Sequence, residues 1–308
     1  MSLSVHPMMQ KHFTNPHLVI GLLLAVGAAV GFSAKAIFVK LAYQYDVDAV
    51  TLLMFRMMFS LPFFIYFAMD EERKTKQRIS KKTFIYILGL GVMGYYLSSL
   101  FDFIGLQYVT AGLERVVLFA YPTIVVILSA FIFHKPMGKK VILALLLSYA
   151  GIALAMMHDV QIVGEFVWLG VGFVFASTIT YALFLIGSGE VIPKVGAKRF
   201  TAYAMIISCL AVFMHFAITR DLSAFNQPMP VYGYGMAMAV FSTVIPAFLL
   251  AAAIARIGAS QTSIVGSIGP IATIILAAIF LAEPISGLQI IGASLVIAGI
   301  FILGKQAK

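Results

Sequence analysis

The 308-residue chain is 62% hydrophobic and 11% charged, with a mean hydropathy of +1.02. Soluble domains carry about 25% charged residues, so the composition excludes a water-soluble globular protein and indicates an all-α polytopic membrane protein. The formal net charge of +9 is compatible with a nucleic-acid surface or with basic loops on one side of a bilayer, and the placement of the charges decides between them.

The 17 residues before the first apolar run contain one lysine and no cleavage-site pattern. The run itself, near 18–42, is too long for a signal peptide and reads as the first transmembrane helix. It carries GAAVG, from Gly27 to Gly31, a spacing that permits close helix contact. It also carries two lysines, Lys35 and Lys40. At about 100° per residue they point some 140° apart and cannot serve one face. Lys40 lies close enough to the end of the span to snorkel to the interface. Lys35 is roughly 10 Å deeper than that end, at about 1.5 Å per residue. A charge at bilayer depth costs about 2.5–3.5 kcal/mol, which calls for a cavity or an acidic partner.

A second span near 48–69 places Arg56 at a depth like that of Lys35 and includes Pro62. The basic loop DEERKTKQRISKK follows, with Arg73, Lys74, Lys76, Arg78, Lys81 and Lys82. In the third span, near 83–106, Tyr95, Ser98, Ser99 and Asp102 fall on one helical face. The fourth, near 112–133, opens with Glu114 and Arg115 and contains Tyr121 and Pro122, and HKPMGKK follows with three lysines. The fifth and sixth are near 139–158 and 163–187, the sixth bearing Ser177, Thr178 and Tyr181. Lys194, Lys198 and Arg199 precede a seventh near 200–219. Ser242, Thr243 and Pro246 lie in an eighth near 231–255, Arg256 follows, and Ser263, Ser267 and Pro270 lie in a ninth near 260–282. A tenth, near 287–304, ends the series.

With the N-terminus inside, all these basic loops, Lys11, Lys305 and Lys308 fall on the cytoplasmic side, while YQYDVDA, HDVQIVGE, TRDLSAFNQP and AEPISG face outward. Positive-inside bias therefore predicts ten spans with both termini cytoplasmic and removes nucleic acid as a partner. Shifted by 148 residues, 108–152 lies over 256–300 without a gap and with 12 identities. Pro122 meets Pro270, Pro136 meets Pro284, and Ala150-Gly151-Ile152 meets Ala298-Gly299-Ile300. This predicts two five-span units, 1–160 and 161–308. An odd number of spans per unit inverts the second, and inverted repeats characterise many secondary transporters, whose substrate sites lie at the repeat interface near mid-membrane.

The chain resembles the EamA-like, ten-helix branch of the drug/metabolite transporter superfamily over nearly its whole length. Gly31-Phe32 followed by FVKLA with Lys40 fits the first-helix pattern of that family, Arg56 in LLMFRMMFSLPFF fits the second, and FLAEP with Glu283 fits the motif ending the ninth. His134-Lys135 replace the matching acid of the fourth, Val30 stands where tryptophan is common, and Glu114-Arg115 stand where small residues are usual. The resemblance implies secondary transport, often export, of small polar metabolites such as amino acids across the inner (plasma) membrane of the cell.

Counting Lys35, Arg56 and Arg115 against Asp102 and Glu114 leaves one surplus cation. Such a surplus can receive a substrate carboxylate through charge-assisted hydrogen bonds. The expected substrate-binding residues are Lys35, Arg56, Tyr95, Ser99, Asp102, Tyr121 and Tyr181, with Asp102 and Glu114 as proton-coupling candidates. The competing account of these charges is a set of structural ion pairs. No nucleophile–base pattern, metal-ligand spacing or Gly-rich phosphate loop stands out, so neither an enzyme nor a cofactor or metal is expected. The lone Cys209 reads as a small packed hydrophobe. The expected partners are a small-molecule substrate, the lipid bilayer and protons as a candidate coupling ion, with the chain a monomer or homodimer. A channel-like facilitator and an intramembrane enzyme acting on lipid or peptide are the rival readings.

Overall fold

The computed structural model of the chain describes residues 16–75, 78–132, 138–266 and 268–304. Lys11, Lys76, His134, Lys135, Pro136, Ser267, Lys305 and Lys308 lie outside the described residues, as does the side chain of Ser263. Every regular element among the described residues is a helix. That follows from the solvent, because hydrocarbon offers no partner to a backbone N–H or C=O and a helix satisfies both within itself.

In chain order the helices are α1 (Pro16–Tyr43), α2 (Ala49–Lys74), α3 (Lys81–Gly105), α4 (Ala111–Leu118), α5 (Tyr121–Ile132), α6 (Lys139–Val163), α7 (Val167–Val195), α8 (Ala197–Thr219), α9 (229–266), α10 (Gly269–Leu281) and α11 (Gly287–Gly304). Eight segments among the described residues are long and apolar enough to cross a bilayer, α4 and α5 counting as one, and Gly269–Leu281 and Gly287–Ile302 are two shorter apolar helices. The protein is thus polytopic.

Several helices outrun the expected spans, α2 to Lys74, α6 to Val163 and α7 to Val195, which takes in Lys194, and two boundaries differ in kind. The eighth span does not end at Arg256, because α9 continues to Gly266. Arg256 is exposed and donates to the Ala252 carbonyl at 3.0 Å, so one charge is accommodated on the helix surface without ending the helix. The fourth span is broken instead, between Leu118 and Tyr121. In both places proline decides. Pro122 and Pro270 each occupy the second position of a new helix, where their missing N–H costs nothing. A break with restart, rather than a kink inside a continuous helix, is what they produce.

Helix starts recur at a constant offset. Ala49 and Ala197, Lys81 and Met229, Tyr121 and Gly269, and Lys139 and Gly287 each begin a helix, and each pair is 148 residues apart. Within α3 and α9, π-helical segments begin at Val92 and Val240, again 148 apart. In α9, Pro246 cannot donate to the Ser242 carbonyl, which loosens the ladder beside the π segment. The offset therefore extends well beyond the 45 residues over which the sequences align.

Helices from the first part of the chain pack chiefly against helices from the second. Helix α1 lies along α9 and α10, α2 along α8, α3 along α7, α4 against α10, and α6 along α11. Asp48 and Arg220 pair at one end of α2 and α8, and Glu72 and Arg199 pair at the other. Close approach is bought with glycine. A Cβ on Gly91 would lie 2.7 Å from the Ala204 carbonyl oxygen of α8, whereas one on Gly89, two residues earlier, would meet nothing within 4 Å. Gly91→Ala should therefore destabilise the protein by about 1–3 kcal/mol. Gly89→Ala should leave it unchanged or slightly more stable. Thermal unfolding of the two variants in the same detergent tests the pair, and equal melting temperatures would refute this packing.

Candidate functional site

The depth argument that singled out Lys35 is answered by two carboxylates. Its Nζ lies 2.5 Å from Asp102 Oδ2 of α3 and 3.1 Å from Glu114 Oε1 of α4. Asp102 is 2% exposed and Glu114 fully buried. Asp102 Oδ1 and Glu114 Oε2 are buried without a donor among the described residues. One lysine thus joins three helices.

Both arginines are buried and, among the described residues, neither has a carboxylate within ion-pair distance. Arg56 Nε donates to Thr243 Oγ1 at 3.0 Å and its guanidinium reaches Ser99 Oγ at 3.3 Å. The guanidinium carbon lies 5.6 Å from the centre of the Phe103 ring. Arg115 donates to Ser33 Oγ at 3.4 Å and stands 5.3 Å from the Phe119 ring centre, while its Nε has no partner among the described residues. The Ser33 hydroxyl has two carbonyls within reach, Ala29 of its own helix at 2.7 Å and Gly269, where α9 gives way to α10, at 3.1 Å. Arg56 thus bonds α9 through Thr243, and Arg115 bonds α1 at a serine that also contacts the start of α10. Thr243 belongs to the π segment of α9, and Ser99 and Asp102 follow directly on that of α3.

The expected polar face of α3 divides. Asp102 goes to Lys35, Ser99 to Arg56, and Ser98 to Ser177 Oγ at 3.0 Å. Tyr95 turns to the Phe184 ring, with centroids 4.8 Å apart, and packs against two apolar clusters. The wider turn of the π segment explains the divergence, since 3.6-residue spacing does not hold across it. Tyr121 and Tyr181 meet edge to face with centroids 5.4 Å apart, and Tyr181 stacks on Phe184. Lys35, Asp102 and Glu114 are thus brought together, Arg56 with Ser99, and Tyr121 with Tyr181.

A second polar group at one end of the bundle was not expected from the sequence. Lys40 Nζ donates to the carbonyls of Leu106 at 3.2 Å and Val109 at 3.0 Å, so protein rather than interfacial water holds its ammonium. Asp159 accepts from Thr110 N at 2.8 Å and Thr110 Oγ1 at 3.0 Å, and Glu283 accepts from Ala111 N at 3.1 Å. Two carboxylates thereby meet the N–H groups that open α4, the arrangement a helix N-terminus favours. Burial raises the Glu283 carboxyl above the usual carboxylate range, opposed by the Ala111 N–H, the Lys40 ammonium and the Gly112 N–H. The signal was Thr110 as a helix cap, but its acidic partners are far off in sequence.

Residues 19–157 and 168–305 each match the EamA-like transporter family. The chain belongs to that family. A relative from Bacillus subtilis (strain 168), called uncharacterized transporter YcbK, is 32% identical over 282 residues, which is 88% of each chain. Another from the same organism, uncharacterized transporter YetK, is 25% identical over 75% of this chain and 71% of its own. A protein of known crystal structure superimposes with a TM-score of 0.62 over 94% of this chain and 98% of its own, at 14% identity, a likeness of fold. The protein is accordingly a multi-pass membrane transporter of the EamA-like family, and family and relatives alike point away from an enzyme.

Removing one partner from a buried ion network strands the others, at a cost of about 3–5 kcal/mol. Lys35→Met should therefore lower the thermal stability of the EamA-like protein sharply. Combining it with Asp102→Asn and Glu114→Gln should recover most of the loss, as measured by melting of detergent-purified protein. A single variant as stable as wild type would show that the three groups do not depend on each other.

Proposed function

We propose that this EamA-like protein is a secondary transporter that exports a small polar, carboxylate-bearing metabolite, an amino acid or a close relative, across the inner membrane. The reading has two inverted five-helix units, 1–160 and 161–308, rocking about a central site with both termini cytoplasmic. The recurrence of helix starts and π segments every 148 residues supports the repeat. The two separate family matches support it too.

One observation carries the substrate class. Arg56 and Arg115 are buried cations that meet hydroxyls and aromatic rings, and among the described residues no carboxylate pairs with either. A substrate carboxylate displacing the Thr243 or Ser33 hydroxyl would exchange a hydrogen bond to a neutral acceptor for one between opposite charges, with the option of a bidentate pair. Because each hydroxyl links to the other half of the chain, binding there bears on the contact between the halves, where transporters of inverted architecture hold substrate. Ser99 orients Arg56, while Tyr121 and Tyr181, and beyond them Tyr95 against Phe184, form the aromatic wall.

Protons are the proposed coupling ion. Asp102 and Glu114 share Lys35 and retain one unpartnered oxygen each, so the pair accepts a proton without moving any helix. A cationic amino group arriving beside them competes with Lys35 for the same oxygens and favours release of that proton. The Lys40, Thr110, Asp159 and Glu283 group closes one end of the bundle and must part when that end opens.

Substrate counterflow in proteoliposomes, run across a panel of amino acids and carboxylates, tests the proposal. Arg56→Gln should weaken the active substrate about 10- to 100-fold, with Arg56→Lys intermediate because it retains charge without the planar fork. Unchanged counterflow in Arg56→Gln would overturn the carboxylate assignment, and uptake without counterflow would mark a channel. A proton gradient should drive wild-type transport but neither Asp102→Asn nor Glu114→Gln. A wild type indifferent to the gradient would exclude proton coupling.

A further inference from the structure

At the opposite end of the bundle from Asp48, three helix ends meet around a cavity of about 140 Å³. Arg78, Ser80 and Thr83 line it from the start of α3, Lys194 from the end of α7, and Arg199 from the start of α8. Water occupies about 30 Å³ per molecule, so the space takes a group the size of a phosphate with some hydration. Three cations and two hydroxyls converge on it from segments distant in the sequence.

Basic side chains outnumber acidic ones around these helix ends. Lys81 and Lys82 occupy the first turn of α3, with no acidic residue there. Cations at that end oppose the helix dipole, which favours an anion instead. Ser80 Oγ accepts the Thr83 N–H at 3.2 Å, and the preceding N–H groups of the turn project from the helix end. Glu72 is the carboxylate that pairs into this group, bonding Arg199 at 2.5 Å and Tyr203 at 2.9 Å. Its single charge stands against five, and Glu190, one turn before Lys194, does not line the cavity.

The rim bears on which anion fits. Immediately beyond Thr83 the surface is apolar, with Phe84, Ile85 and Tyr86 40%, 66% and 56% exposed on a helix that crosses the bilayer. A free phosphate would leave that surface unused. A phosphate joined to acyl chains would use both, with its head between the basic helix ends and its tails along α3. We propose that this cavity binds the phosphate headgroup of an anionic phospholipid, holding together the ends of α3, α7 and α8. The site is separate from the central arginines and independent of any substrate assignment.

Delipidated protein in neutral detergent, melted with phosphatidylglycerol, phosphatidylcholine or inorganic phosphate, tests the proposal, with native mass spectrometry reading lipid retention. Phosphatidylglycerol should raise the melting temperature and stay bound, whereas phosphatidylcholine and inorganic phosphate should not. Arg78→Gln combined with Lys194→Gln should weaken phosphatidylglycerol binding about thirtyfold, while Arg78→Lys with Lys194→Arg should retain it. Equal effects of the two lipids on wild type would overturn the site, a result that does not depend on the variants folding. Undiminished phosphatidylglycerol binding by the glutamine variant would overturn it as well. Stabilisation by inorganic phosphate alone, lost in that variant, would replace the lipid with a free anion.

Discussion

A charge inside a bilayer has no water to answer it, so the protein must supply the answer itself. In this chain Lys35 makes that demand, and Asp102 and Glu114 meet it. The consequence is architectural. To reach one ammonium, α3 must present Asp102 toward α1, and α4 must bring Glu114 to full burial beside it. Arg115, next in sequence, is then carried inward to the junction with α10, where Ser33 and Phe119 receive it. The position of one cation thus accounts for the burial of three other charged groups.

The two clusters of buried charge are built on different terms. Around Lys40, carbonyls take the ammonium and carboxylates take the N–H groups of α4, while Glu283 Oε2 is buried without a donor among the described residues. Around Arg56 and Arg115 the partners are neutral, and the guanidinium is the side chain best shaped to grip a carboxylate with two parallel bonds.

Much of this was legible in the chain. Apolar runs separated by basic and acidic loops outline the spans, because length and charge are set by the bilayer alone. Lys35, Arg56 and Asp102 stood out for the same reason, each being costly at its depth. Glu114 and Arg115, which the family pattern marked as departures, are part of the buried group. Other features were hidden. Asp159 read as an ordinary loop acid, since its partner Thr110 lies 49 residues away and nothing local marks the pair. Tyr95 was grouped with Asp102 by helical spacing, which fails across a π segment that has no proline to announce it in α3. Arg256 looked like a boundary, yet an exposed side chain on a continuing helix serves equally well.

What the sequence determined by itself follows from the membrane as solvent: a helical, many-pass chain, together with a 45-residue stretch that recurs at an offset of 148. That Pro122 and Pro270 restart helices rather than kink them came from the structure. What the tertiary structure alone decided is which charges meet. Lys35 had two acids and two arginines at similar depth, and helical period places none of them in contact, because contact depends on how α1, α3 and α4 cross. That crossing is set by close packing, such as Gly31 against the Phe241 carbonyl and Pro246 of α9. Packing of this kind joins residues more than 200 positions apart, a range no local pattern encodes.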